Sequence, residues 1–304
     1  MPAAVWIALI VVVVVALGAA LAIVVRNRLR EAGVYVIPRT RFGTALVFSV
    51  EDDDGEPVRV LNVGGMYQSA TYLDERYADL VFEYYKLYDH MFEATPAGQP
   101  VRNVLMVGGG GYAYPKHLIA HYPNVRIDVV EIDPKITAIA ERYFFLDRLI
   151  EEYETEATNR LGLQTGDGRA VLEALAADPH GIRYDAILND SFRGKDPAAS
   201  MTTVETARAV KACLVPGGLY LSNVVSALEG HDARFMRAIV TTLKQVFAHV
   251  YVIPCDSDEF ADKDNAMVIA TDGTYSFSGV YDFATRASDP VLTDACNPVK
   301  ELTA

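Results

Sequence analysis

Residues 104–115 read VLMVGGGGYAYP: a short apolar run, four consecutive glycines, then two tyrosines around an alanine. Such a run predicts a buried strand that turns sharply into a helix, because glycine has no Cβ and admits both φ > 0 and close approach of a ligand. Working outward from it, strands are predicted over 103–107, 126–132, 161–167, 184–190 and 218–225. Helices are predicted between and after them, over 114–122, 134–144, 168–178, 203–214 and 232–247. This alternation predicts a doubly wound α/β sheet. Residues 249–255 and 265–272 are two further strands whose polar connection, DSDEFADKD, is too short for a crossover helix, so they predict an antiparallel hairpin.

A hairpin closing a parallel sheet is the habit of class I S-adenosylmethionine methyltransferase-like (Rossmann-like) enzymes rather than of dinucleotide dehydrogenases. The glycines alone do not separate the two, since Gly108-x-Gly110-x-x-Ala113 also fits the dinucleotide pattern, and Glu131 at the next strand's end suits the ribose hydroxyls of either cofactor. Asp167, ending the third strand in GDGRAVL, favours an adenosyl ligand, because a carboxylate there can accept from the adenine amine. The plainer reading is that Asp167 caps the following helix. Asp190, ending the fourth strand, would lie beside the sulfonium of a bound donor, placed to accept a proton from an attacking amine; the alternative is a turn aspartate. The cofactor set read from these strand ends is then Gly108, Gly109, Gly110, Glu131, Ile132, Asp167 and Gly168, with Asp190 as the catalytic group.

The 304 residues suffice for one catalytic-size domain with an appendage. Ala4 to Val25 carries no charge and is about long enough to cross a bilayer as a helix. It lacks the basic start of a cleaved signal, and Arg26, Arg28 and Arg30 follow it, so the expectation is a retained single-pass membrane anchor with a cytoplasmic globular domain. Divisions are expected at 1–30 (anchor and basic flank), 31–75 (a small β-hairpin region), 76–285 (the α/β domain) and 286–304 (a tail). Within the third, Leu80, Tyr84, Leu87 and Met91 recur at helical spacing and predict an amphipathic helix over 74–92. The net charge of −13, without a basic stripe, argues against a nucleic-acid partner. Three widely spaced cysteines fit a reducing compartment. His117 and His121 share a helical face, but no third ligand is evident in the sequence, so no metal is assigned.

Taken together, VLMVGGG, VVEIDP, GDGRAVL, YDAILNDS and LVPGG resemble, in order and interval, the spermidine/spermine synthase family of aminopropyltransferases over roughly residues 60 to 225. That family carries a small N-terminal β domain before a class I methyltransferase-like fold. The resemblance implies that Gln68 helps hold the donor, that Tyr77 and Asp79 contact the substrate amine, and that Asp190 accepts the proton. Ala78 replaces the histidine and Asp79 the glutamate of the family's upstream pattern. Two further departures bear on substrate. Asp190-Ser191 is followed by Phe192, Arg193 and Gly194 before the next Asp-Pro pair, and Gly111 stands where the family's loop has an aspartate that pairs with the amine of decarboxylated S-adenosylmethionine.

The implied activity is aminopropyl transfer from decarboxylated S-adenosylmethionine to a small cationic amine such as putrescine, with a homodimer left open as the assembly. Methyl transfer from ordinary S-adenosylmethionine and a non-catalytic nucleotide-binding membrane protein are the competing expectations. A nicotinamide enzyme is the weakest of the four.

Overall fold

A computed structural model describes residues 3–52, 54–93, 100–193, 196–256 and 260–303. The chain opens with helix α1 (Ala3–Glu31), whose apolar side chains from Ile10 to Val25 stand free of the rest of the molecule. It is long and apolar enough to cross a membrane. Gly33, at φ +76°, ends it: Gly33 N–H donates to Arg30 O and Val34 N–H to Leu29 O, the two bonds of a Schellman stop.

An antiparallel sheet follows, strands β1 (Tyr35–Thr40), β2 (Gly43–Glu51), β3 (Pro57–Val63) and β4 (Met66–Tyr72), paired in sequence order. The expected small hairpin region is therefore a four-stranded meander. Its last strand, MYQSATY, escaped prediction because polar residues interrupt its alternation, yet Ser69, Ala70 and Thr71 are buried.

The predicted helix over 74–92 is corrected to turns, a 3-10 segment (Glu83–Asp89) and the short α2 (His90–Glu93). The reason is local competition for a carbonyl. A helix would use Tyr77 O for the amide four residues on, but here that oxygen accepts from Lys116 Nζ at 2.7 Å and Thr71 Oγ1 at 2.9 Å. Leu80 and Met91 are still buried, so the apolar spacing reported the core and not the helix.

The second sheet has seven strands: β5 (Asn103–Val107), β6 (Arg126–Glu131), β7 (Leu161–Thr165), β8 (Tyr184–Asn189), then, beyond the two-residue pair β9 (Phe192–Arg193) and β10 (Asp196–Pro197), β11 (Leu214–Ser226), β12 (His249–Pro254) and β13 (Asp264–Thr271). Their spatial order is β12-β13-β11-β8-β5-β6-β7; the β7-to-β11 pairings are parallel, while β13 runs antiparallel to both neighbours. Helices α3 (Ala113–His121), α4 (Pro134–Tyr143), α5 (Leu146–Glu152), α6 (Thr155–Thr158), α7 (Gly168–Ala177), α8 (Val204–Cys213) and α9 (Arg234–Leu243) accompany it, with a short α10 (Val299–Thr303) in the tail. This is the Rossmann-like class I methyltransferase architecture, and strand order reverses between β5 and β8, the place where such sheets open a ligand crevice.

Lys116 ties the two sheets together. Its ammonium is 1 % exposed and donates to Thr71 Oγ1 (3.0 Å), Tyr77 O (2.7 Å) and Phe144 O (2.7 Å). Burial lowers its pKa to about 7, but all three donors have acceptors. Lys116→Met leaves two carbonyls and a hydroxyl without that donor, at about 1–3 kcal/mol per uncompensated group. The expected outcome in chemical denaturation is a lower midpoint with an unchanged slope; an unaltered midpoint would remove Lys116 from this role.

Candidate functional site

The carboxyl ends of β5, β6, β7 and β8 converge on a cavity of about 610 Å³, within the range of small-molecule sites. The glycine turn forms its floor. Gly108 sits at φ +95°, and a Cβ there would collide with the Asp190 carbonyl, so only glycine lets the turn pass beneath the end of β8. The loop is braced from below by Glu131, whose Oε2 accepts from Gly109 N–H (2.8 Å) and Gly110 N–H (3.4 Å) and whose Oε1 accepts from Asp133 N–H (2.9 Å). Desolvation raises the pKa of this buried carboxyl, and the three amides pull it back down.

Gln68, Gly108, Gly110, Glu131, Ile132, Asp167, Gly168 and Asp190 all line this one cavity. Gly109 acts through its amide on Glu131. Asp167 also caps α7, accepting from Arg169 N–H (3.0 Å) and Ala170 N–H (3.2 Å) through Oδ1, so both readings of this residue hold a place in the geometry.

Asp190 is the group with unusual chemistry. Its Oδ1 accepts from Asn223 Nδ2 (3.0 Å) and its Oδ2 from the Tyr84 hydroxyl (3.3 Å). Desolvation pushes its pKa up to about 6, against the lowering effect of those two hydrogen bonds. The side chain retains some exposure to the cavity while lying deep in the molecule, so a ligand can reach it although bulk water solvates it poorly.

Tyr84 and Asn223 are functional neighbours that the sequence did not announce. Tyr84 was counted among the core positions of a helix; instead the 3-10 segment fans out three tyrosines, with the hydroxyl of Tyr84 on Asp190, that of Tyr85 on Gln68 O (3.5 Å) and that of Tyr88 on Asn189 O (3.1 Å). Asn223 did carry a signal: it is a polar residue in the middle of an apolar strand, 6 % exposed.

Tyr77 and Asp79 lie elsewhere. The Tyr77 ring is buried, its hydroxyl donates to Glu152 Oε2 (2.8 Å), and Arg148 sits over its face. Asp79 pairs with His121 Nε2 at 2.9 Å on the outer side of α3. Neither lines the cavity, because the segment that carries them is drawn onto Lys116 rather than wound as a helix.

Position 111 also reads differently in three dimensions. A Cβ on Gly111 would meet Ser69 Oγ at 2.7 Å, Ser69 Cβ at 2.8 Å and Phe144 Cδ1 at 3.0 Å. An aspartate on this backbone would therefore enter the packing between β4 and the end of α4, and Gly111 is not part of the cavity lining.

Comparison with known proteins agrees with this architecture. Residues 85–260 match the spermine/spermidine synthase domain. The polyamine aminopropyltransferase of Vibrio vulnificus is 28% identical over 190 residues, covering 62% of this chain and 56% of that protein. The eEF1A lysine and N-terminal methyltransferase of Mus musculus is 30% identical over 158 residues, 49% of this chain and 20% of that protein. The chain thus spans about half the length of the first relative and a fifth of the second. A probable spermidine synthase from Corynebacterium glutamicum superposes with a TM-score of 0.63 at 22% identity, over 80% of this chain and 81% of that one, and so shares the fold. Strand order, glycine turn and family match together place the assignment beyond fold analogy: the chain belongs to the spermine/spermidine synthase domain family.

Proposed function

We propose that this protein transfers an aminopropyl group from decarboxylated S-adenosylmethionine to a polyamine acceptor such as putrescine. The observation that carries the reading is Asp190, a carboxylate with a pKa near 6 that is held by Tyr84 and Asn223 and lines the same cavity as Glu131. Among the described residues the cavity lining is acidic, with Glu83, Glu131, Asp167, Asp190 and Asp264, and the one guanidinium there, Arg169, is bound to Glu173 and Asp294. That balance suits a cationic amine.

In this reading Glu131 and Asp167 hold the adenosyl part and the glycine turn fixes the sulfonium. The acceptor nitrogen attacks the propyl carbon in line; the C–N bond forms as the C–S bond breaks, and the electron pair leaves on sulfur as methylthioadenosine. The proton released from nitrogen passes to Asp190. The protein's main contribution is position, with proton acceptance worth about 10²–10⁴ in rate. A second reading, methyl transfer from ordinary S-adenosylmethionine, is supported by the similarity to the eEF1A lysine and N-terminal methyltransferase.

We also read α1 as a single-pass anchor with the globular part on the cytoplasmic side, on the strength of its exposed apolar surface and the three arginines at its end. Full-length protein should stay with membranes through an alkaline wash while a chain starting at Val34 is released; release of both would remove the anchor.

Purified full-length protein supplied with decarboxylated donor and putrescine should yield spermidine and methylthioadenosine by mass spectrometry. Absence of both, or tighter calorimetric binding of ordinary S-adenosylmethionine, would overturn the aminopropyl reading. Asp190→Asn should lower kcat by about 10²–10⁴. In wild type, kcat/KM should rise with pH through about 6, as Asp190 loses its proton, and then level off.

The same shift makes a stability prediction of opposite sense. The folded pKa lies above the ordinary aspartate value, so the folded state binds the extra proton, and Asp190 costs stability progressively as pH rises from about 4 to about 6. Asp190→Asn should raise the melting temperature at pH 8 and change it least at pH 4. An equal shift at both pH values would refute this origin of the raised pKa.

A further inference from the structure

We propose that Asp79, His117 and His121 form a binding site for a divalent first-row transition ion, with zinc as its natural occupant. This site is separate from the cavity and independent of the transfer reading. The two histidines stand one turn apart on the last turns of α3, and the fold supplies the third ligand that the sequence pattern lacked: Asp79, carried in from the segment before the 3-10 tyrosines. One ligand atom from each lies within 4.8 Å of the others, and the imidazole rings are 4.5 Å apart. A tetrahedral zinc site has ligand atoms about 3.3 Å apart, so rotations of the half-exposed Asp79 and His121 side chains about the largely buried His117 suffice to close the set.

The surroundings fit a metal better than a simple ion pair. His117 Nε2 lies 3.6 Å from Asp89 Oδ2, while His117 Nδ1 is buried with no hydrogen-bond partner. Asp89 is itself fixed, accepting from the Tyr114 hydroxyl (2.7 Å) and the Tyr122 hydroxyl (3.0 Å). A carboxylate behind one imidazole nitrogen, with the other nitrogen's lone pair unused, is the arrangement that orients a metal-binding histidine. His121 Nε2 and Asp79 Oδ1 lie within hydrogen-bond distance, 2.9 Å, a contact that zinc would replace. The carboxyl end of α3 adds a favourable dipole for a cation. Two imidazoles and one carboxylate select zinc and its neighbours over magnesium or calcium, and leave a fourth position for water.

Such an ion would join α3, which follows the glycine turn, to the segment leading into Tyr84. It would therefore act as a staple between the floor and one wall of the cavity.

The test uses the full chain in detergent, titrated with zinc chloride by calorimetry. One zinc per chain, a melting temperature raised by zinc and not by magnesium, and affinity at least about tenfold weaker in His121→Ala are the expected results. His121 is exposed, so that variant should fold; Asp79→Asn should behave alike, and Asp89→Asn should weaken binding by about 10–100-fold. The double variant His180→Ala/His231→Ala should bind as wild type does. Cobalt(II) distinguishes ligand sets: a four-coordinate spectrum without sulfur-to-metal charge transfer supports the site, whereas a thiolate band lost in Cys296→Ser overturns it. Zinc affinity unchanged by His121→Ala, or no saturable binding at all, also overturns it.

Discussion

The buried ammonium of Lys116 is the constraint on which the candidate site depends. One side chain from α3 satisfies a hydroxyl on β4, a carbonyl of the turn segment and the carbonyl that ends α4. A lone buried cation is costly, and its presence is compatible with folding only because all three donors are used. The geometric consequence reaches the cavity. With Tyr77 O held by Lys116, the chain cannot wind as a helix over 74–82, and it re-forms as a 3-10 turn that aims three successive tyrosine hydroxyls at Asp190, Gln68 and Asn189. The interaction that joins the two sheets thus also sets the wall against which Asp190 acts.

Glu131 braces the glycine turn from within the cavity lining. Its carboxylate is 6 % exposed and accepts from the amides of Gly109, Gly110 and Asp133, so the turn is held in one shape by the protein itself. A carboxylate has about four acceptor directions, and three are used here. In the proposed complex the remaining capacity is what would meet a ribose hydroxyl without dismantling the turn. Asp167 follows the same logic: its Oδ1 caps α7 while the residue lines the cavity.

What could be read from the sequence follows from the range of the physics involved. The β/α alternation, the glycine turn and the strand-end carboxylates are local, period-driven signals, and the strands at 103–107, 126–131, 161–165 and 184–189 lie where the pattern put them. The turn segment at 74–82 was misread because its spacing records burial, whereas its backbone answers to Lys116, a residue distant in sequence. For the same reason Asp79 does not line the cavity, and its pairing with His121 depends on a contact no spacing rule contains. Asn223 was legible in principle as a polar interruption of β11, but its partner Asp190 was not.

Position 111 is where the sequence and the structure pose different questions. In one dimension Gly111 is a missing aspartate, and the natural inference is that donor selectivity has been relaxed. In three dimensions the Cβ direction at 111 is already filled by Ser69 and Phe144, so an aspartate there would be strained before it met a ligand. Ser69 is fully buried beside that backbone, which marks the contact as tight packing. Selectivity between a donor that carries a carboxylate and one that lacks it must then arise from charges that do face the cavity. Glu83, Asp190 and Asp264 are such charges, and each would disfavour a donor carboxylate placed near it. In the proposed reading the absence of one loop aspartate does not by itself make the pocket indifferent: the acidic wall contributed by the tyrosine segment and by β13 would supply discrimination of the same sign from a different part of the chain.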